Sequence, residues 1–224
     1  MTTDKVTPAV VLSCCLLVTP LAAADLKPET VRAFNEYIRR TEARLRDQVS
    51  NGQFLWADQE PARRQQLRAG KILTERLGSE AEYKVPNGLI HDWLGAIFIP
   101  ATTVERTIHL VQDYEHHAEV YQPEVIDSKM IEHHGGDYQV FLRLKKKKVL
   151  TVVLNTEHAV HYERMDAARW QSRSYSTRIA EVDNPGKADE HVLPAGKDHG
   201  FLWRLDSFWR FQERDGGCGQ NAIA

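Results

Sequence analysis

Cysteine is nearly absent from this chain. Three of its 224 residues are Cys, and two of them, Cys14 and Cys15, fall in the apolar stretch near the start. Beyond that stretch only Cys218 remains, so no internal disulfide can form there, and zinc sites built on several thiolates are excluded. Packing has to hold the fold. A charge excess of one sign is also missing: 29 Lys and Arg stand against 31 Asp and Glu. No global basic field favours nucleic acid, and no nucleic-acid partner is expected. There is no G-x-S-x-G elbow, no H-E-x-x-H spacing, no internal repeat and no low-complexity tract. Nucleophilic catalysis therefore has no motif, and the catalytic residues, if any, are not identifiable from sequence.

One long apolar run is present. Lys5, its charge offset by Asp4, precedes the uncharged stretch from Val6 to Ala24. Ala22-Ala23-Ala24 before Asp25 fits a small-residue cleavage site, so residues 1–24 are expected to be a signal peptide and the protein to be exported, periplasmic or secreted. The alternative is an N-terminal membrane anchor, because the run is nearly long enough to span a bilayer. Pro8 and Pro20 shorten its usable helix.

Residues 25–80 are expected to form a helical N-terminal segment. Pro28 and Glu29 suit a first turn, and Val31, Phe34, Ile38, Leu45 and Val49 recur at helical spacing up to the stop at Asn51-Gly52. A second helix is expected from Pro61 through Leu67, Ile72, Leu73 and Leu77 to Gly78. The arginines on the other faces read as a solvated surface paired with nearby acids rather than as an anion-binding patch. Residues 81–87 read as a linker.

The pattern then changes. Leu89 to Ile99 reads as a strand ended by Pro100, followed by short helices over Val104–Val111 and Tyr114–Tyr121. Strands are expected at 125–132, 138–146, 149–164 and 169–182, with a hairpin turn at Gly135-Gly136-Asp137. After a polar loop, Phe201–Gln212 reads as an aromatic strand with Phe201, Trp203, Leu205, Trp209 and Phe211 on one face. Strands joined by short turns make this an α+β fold, a curved antiparallel sheet with an N-terminal helical segment, rather than an alternating βαβ fold.

Segment 88–212 resembles the START-like superfamily, also called the helix-grip or polyketide cyclase-like fold. The resemblance lies in PATTVERTIHLVQDYEHHAEVYQPEV, where Asp113, Tyr114, Tyr121 and Pro123 occupy the positions of a D-Y-x-x-x-x-x-Y-x-P phrase. It lies also in LRLKKKKVLTVVLNTEH and SRSYSTRIAEV. The resemblance implies a helix-grip sheet and a hydrophobic small molecule or lipid as partner. No cofactor and no metal is expected. It also implies a last strand and a long gripping helix after Phe211. Residues 213–224 read as an irregular tail too short for either, so truncation is the favoured expectation, with filling of the groove by the N-terminal helices as the alternative.

Candidate lining residues for such a pocket are Tyr114, Tyr121, Arg143, Tyr175, Trp203 and Trp209. The expected role is binding rather than catalysis. The alternatives are a cyclase-, dehydratase- or hydrolase-like enzyme on the same scaffold, or an interaction module without a ligand. Asp92, an acid in an apolar strand, reads as outward-facing or else held by Arg143 or Arg204. Ser172, Ser174 and Ser176 share a strand face expected to meet solvent. The ten histidines lack ligand spacing, and His158 and His161 are expected on opposite strand faces. The Lys145–Lys148 tract reads as a hydrated hairpin tip; the weaker reading is peripheral membrane contact with anionic headgroups.

Overall fold

The computed structural model describes residues 26–77, 83–147, 151–194 and 196–224. The expected signal peptide and Lys148 of the lysine tract lie outside them. Helix α1 (Pro28–Ser50) begins with Pro28 in its first turn and Glu29 beside its positive dipole end. It stops where Asn51 N–H bonds Asp47 O and Gly52 takes a φ of +71°. Helix α2 (Pro61–Arg68) is shorter than expected. Gly70, at φ +80°, turns the chain, and Leu73–Arg76 becomes strand β1 instead of continuing the helix.

The expected linker is largely a hairpin. Strand β2 (Tyr83–Val85) pairs with β3 (Gly88–Ile90) across a turn where Asn87 is left-handed. The single strand expected from Leu89 is thus two, β3 and then β4 (Trp93–Pro100), broken at His91-Asp92. Helix α3 (Val104–Gln112) is capped by Thr103, whose hydroxyl oxygen accepts from Arg106 N at 3.2 Å. A 3-10 turn and α4 (His117–Val120) follow. The long strands appear where the sequence places them: β5 (Val125–His134), β6 (Asp137–Lys147), β7 (Thr151–Arg164) and β8 (Arg169–Asp183). The short β9 (His191–Val192) lies on the edge of β8.

The predicted aromatic strand is shorter than expected. Residues 201–205 are irregular, and β10 spans Asp206–Arg214. The expected irregular tail is instead strand β11 (Gly217–Ile223), paired along its length with β10 and β4. Its glycines disguise it in the sequence, because glycine is depleted from strands. Here one of them is required. A Cβ on Gly217 would stand 2.3 Å from the Ile99 carbonyl oxygen and 2.6 Å from Phe98 Cζ.

The main sheet runs β1-β4-β11-β10-β8-β7-β6-β5, with every pair antiparallel. Bulges in β5 and between Glu157 and His158 add local twist and bend to the outer strands. Side-chain alternation then divides the core between two faces. On one, Leu45, Trp56 and Leu67 from the N-terminal helices pack on Leu94, Ala96 and Ile223. On the other, Val104, Ile108 and Tyr114 pack on Val140, Val160, Tyr162, Phe211 and Cys218. The N-terminal helices therefore lie on the sheet face opposite α3.

Candidate functional site

Beneath α3 and α4 the second face is not filled. A cavity of about 210 Å³ remains there. Its helical wall is Val111, Tyr114, His117 and Tyr121, with Val125 at the start of β5. Its floor follows the period of two along each strand: Val140 and Leu142 on β6, His158, Val160 and Tyr162 on β7, Ser172 and Ser174 on β8. Leu205, Ser207, Trp209 and Phe211 complete it. The lining is apolar and aromatic with a few polar groups, and no Lys, Arg, Asp or Glu lines it among the described residues.

The polar groups are tied to one another. The hydroxyls of Tyr114 and Tyr162 lie 2.8 Å apart, and Tyr162 donates onward to the Val111 carbonyl at 3.2 Å. Burial holds both phenols above their ordinary range, so they are neutral donors. His117 Nε2 lies 3.2 Å from the same carbonyl, and burial lowers its pKa. His158 is 3% exposed, and burial pushes its pKa down to about 4, so the ring is neutral at pH 7.

A larger groove, about 540 Å³, lies on the other face between the C-terminal half of α1 and the strands. Several of its polar groups are already engaged with one another. Arg173 pairs with Glu42 at 2.6 Å, and Gln171 donates to Glu163 at 2.6 Å. The buried Arg210 guanidinium donates to Gln48 Oε1 at 3.2 Å, to Phe54 O at 2.9 Å and to Leu45 O. Burial lowers the Arg210 pKa to about 10, so it remains a cation at neutral pH, solvated by these amide and carbonyl oxygens.

Of the six candidate lining residues, the structure brings three together. Tyr114, Tyr121 and Trp209 all line the cavity, with Tyr121 edge-to-face against His117 at 5.0 Å and Trp209 stacked on Phe211 at 5.9 Å. The other three are elsewhere. Arg143, out of step with Leu142, pairs with Glu190 at 2.8 Å. Tyr175 lies under the guanidiniums of Arg173 and Arg204, at 5.7 and 5.3 Å, away from the cavity. Trp203 sits in the irregular segment before β10, against Phe34 of α1 at 5.2 Å.

The β8 assignment was inverted: Ser172 and Ser174 face the cavity, while Arg173 and Tyr175 point away. The ladder from Ser172 to Ser176 is regular, and the bulge at Thr177 lies beyond it; alternation there fixes that neighbours oppose, not which of them points inward. His158 and Tyr162 also line the cavity. Their place among Val152, Leu154 and Val160, the apolar even positions of β7, is the signal in the sequence.

Asp92 is buried rather than outward-facing, and its partner is the Tyr37 hydroxyl of α1, not Arg143 or Arg204. Burial raises its pKa against that hydrogen bond. It lies outside the cavity. His161 faces away from His158 and pairs with Asp137 at 2.7 Å. His116 pairs with Asp113 at 2.8 Å. Among the described residues no three His, Cys, Asp or Glu converge as a metal site. Lys145–Lys147 are exposed at the end of β6.

No protein-family model and no curated protein matches the sequence. Among solved structures, the chain is similar to a STAR-related lipid transfer protein fragment (25–204) from Xanthomonas axonopodis. Identity is 12%, coverage is 68% of this chain and 75% of that one, and the TM-score is 0.47. It is similar also to human STARD10, at 12% identity over 68% of this chain and 56% of that one, with a TM-score of 0.47. At this distance the functional case rests on the cavity's own chemistry.

Proposed function

We infer that this chain is a START-like binding module that holds a hydrophobic small molecule or lipid in the cavity beneath α3 and α4, without catalysing a reaction on it. The observation that carries this reading is the uncharged, largely aromatic lining of a void that the surrounding elements leave open. Ligand pockets are typically apolar concavities with a few placed polar groups, and this one has five aromatic side chains, Tyr114, Tyr121, Tyr162, Trp209 and Phe211, with hydroxyl and imidazole groups beside them. The buried acid that a cyclase-like reading would need, Asp92, is held by Tyr37 outside the cavity, which favours binding over catalysis. The signal-like pattern of residues 1–24 supports export of the module.

Native mass spectrometry of protein purified under non-denaturing conditions tests this. A folded preparation carrying a co-purifying apolar molecule, released by organic solvent, is the expected result. Folded protein that carries none, and takes up none when equilibrated with extracted lipid, would sink the reading.

A further inference from the structure

The hydrogen positions around His158 can be worked out from its neighbours. The Thr156 hydroxyl donates to the Leu142 carbonyl at 2.9 Å, which commits its single hydrogen. Thr156 Oγ1 also lies 2.9 Å from His158 Nε2, and so acts there as the acceptor. The proton of the neutral ring therefore sits on Nε2. Nδ1 is left as an acceptor without a partner among the described residues, on a ring that lines the cavity. The hydroxyls of Ser174 and Ser207, lining the same cavity, can each donate or accept.

Charge is missing from this lining among the described residues. The Asp206 carboxylate, which acts on the His158 ring from outside it, is paired with Arg204 at 2.7 Å and Arg173 at 3.8 Å. A carboxylate or phosphate entering the cavity would lose its hydration with no cation to meet it, and an amine would find no carboxylate. A wholly apolar molecule would displace water from Nδ1 and leave that acceptor unpaired. The volume, about 210 Å³, exceeds the roughly 150 Å³ that accommodates a benzene ring.

We propose that the cavity selects an uncharged apolar molecule of one or two rings bearing a hydroxyl group, and that this hydroxyl donates its hydrogen bond to the His158 ring. The proposal rests on the binding function inferred above and specifies its ligand class.

The test compares 2-naphthol, naphthalene and 2-naphthoate on the intact chain at pH 7, with dissociation constants read from tryptophan fluorescence and confirmed by calorimetry. 2-Naphthol should bind at least about tenfold more tightly than 2-naphthoate and about fivefold more tightly than naphthalene. His158→Leu should abolish the advantage of naphthol over naphthalene. Ser174→Arg, at a half-buried lining position, supplies the missing cation and should shift the preference towards naphthoate; it keeps the test open should the Leu variant not fold. Equal or tighter binding of naphthoate to the unmodified chain overturns the selectivity while leaving the binding function standing. Equal binding of naphthol and naphthalene overturns the role of His158. Failure of all three to bind overturns the function itself together with this inference.

Discussion

The two faces of one sheet are built to different rules. Along β10, Phe208 and Arg210 point to the α1 side, and Trp209 and Phe211 point to the α3 side. The α1 side carries a 23-residue helix, a groove of about 540 Å³ whose walls hold the Arg173–Glu42 pair, and a buried guanidinium tied to helix and loop carbonyls. The α3 side has shorter helices over a smaller cavity, lined among the described residues by neutral groups alone. The charged groups of the α1 groove hold helix to sheet, whereas an uncharged lining leaves room for an uncharged guest without trapping an ion. The comparison predicts that substitutions on the α1 side act on stability, and that those on the α3 side act on binding.

The largest effect expected is that of Arg210→Ala. It removes a buried cation and leaves the Phe54 and Leu45 carbonyls without that donor. A loss of about 3 kcal/mol in urea unfolding is expected, with naphthalene affinity unchanged in the fraction that remains folded. A smaller loss accompanied by weaker naphthalene binding would mean that the faces are not separable.

The pH dependence of stability sharpens the contrast from the other side. His158 has a folded-state pKa of about 4 against an ordinary 6.5. As pH falls the unfolded chain takes up this proton first, so its contribution to stability is full above about pH 6.5 and is lost as pH drops towards 4. The loss approaches about 3 kcal/mol at most. Asp206 favours the protonated ring and already enters the folded value. Asp92, whose pKa is raised, works in the opposite sense but is common to both proteins compared. Unfolding midpoints of the unmodified chain and His158→Leu, measured from pH 7 to pH 4.5, should diverge on this account, the unmodified chain falling more steeply. Parallel curves would contradict it.

Gly217→Ala is expected to cost about 2 kcal/mol, because the added Cβ meets the Ile99 carbonyl and the Phe98 ring. The loss should appear without any change in probe affinity. A neutral result would mean that β4 and β11 can part more easily than their pairing suggests.

What could be read in the sequence follows from the same physics. Strands β5 to β8 were legible because their turns and alternating residues announce them, and the short helices because Thr103 and the Tyr114–Tyr121 spacing mark their ends. β1 was hidden because Leu73 and Leu77 continue a helical apolar stripe, and only Gly70 breaks it. β11 is hidden because Gly217 and Gly219 speak against a strand until the Ile99 carbonyl is seen beside the one and the Leu55 side chain beside the other. Half of the candidate lining residues meet at the cavity for related reasons. Tyr114, Tyr121 and Trp209 sit on well-marked elements. Tyr175 and Arg143 stand away from it, because alternation fixes only that neighbours oppose, not which of them points inward. Trp203 was lost when the chain left strand geometry before β10.

Photo-crosslinking distinguishes the α3 cavity from the α1 groove as the place where a ligand binds. An uncharged naphthol bearing a diazirine would be irradiated with the folded chain, and the adducts mapped to individual residues. The account predicts labelling of Trp209, Tyr114, Tyr162 and Val140, competed away by 2-naphthol. Labelling concentrated on Phe208, Val49 or Met165 in the α1 groove, or labelling that 2-naphthol does not compete, would contradict it.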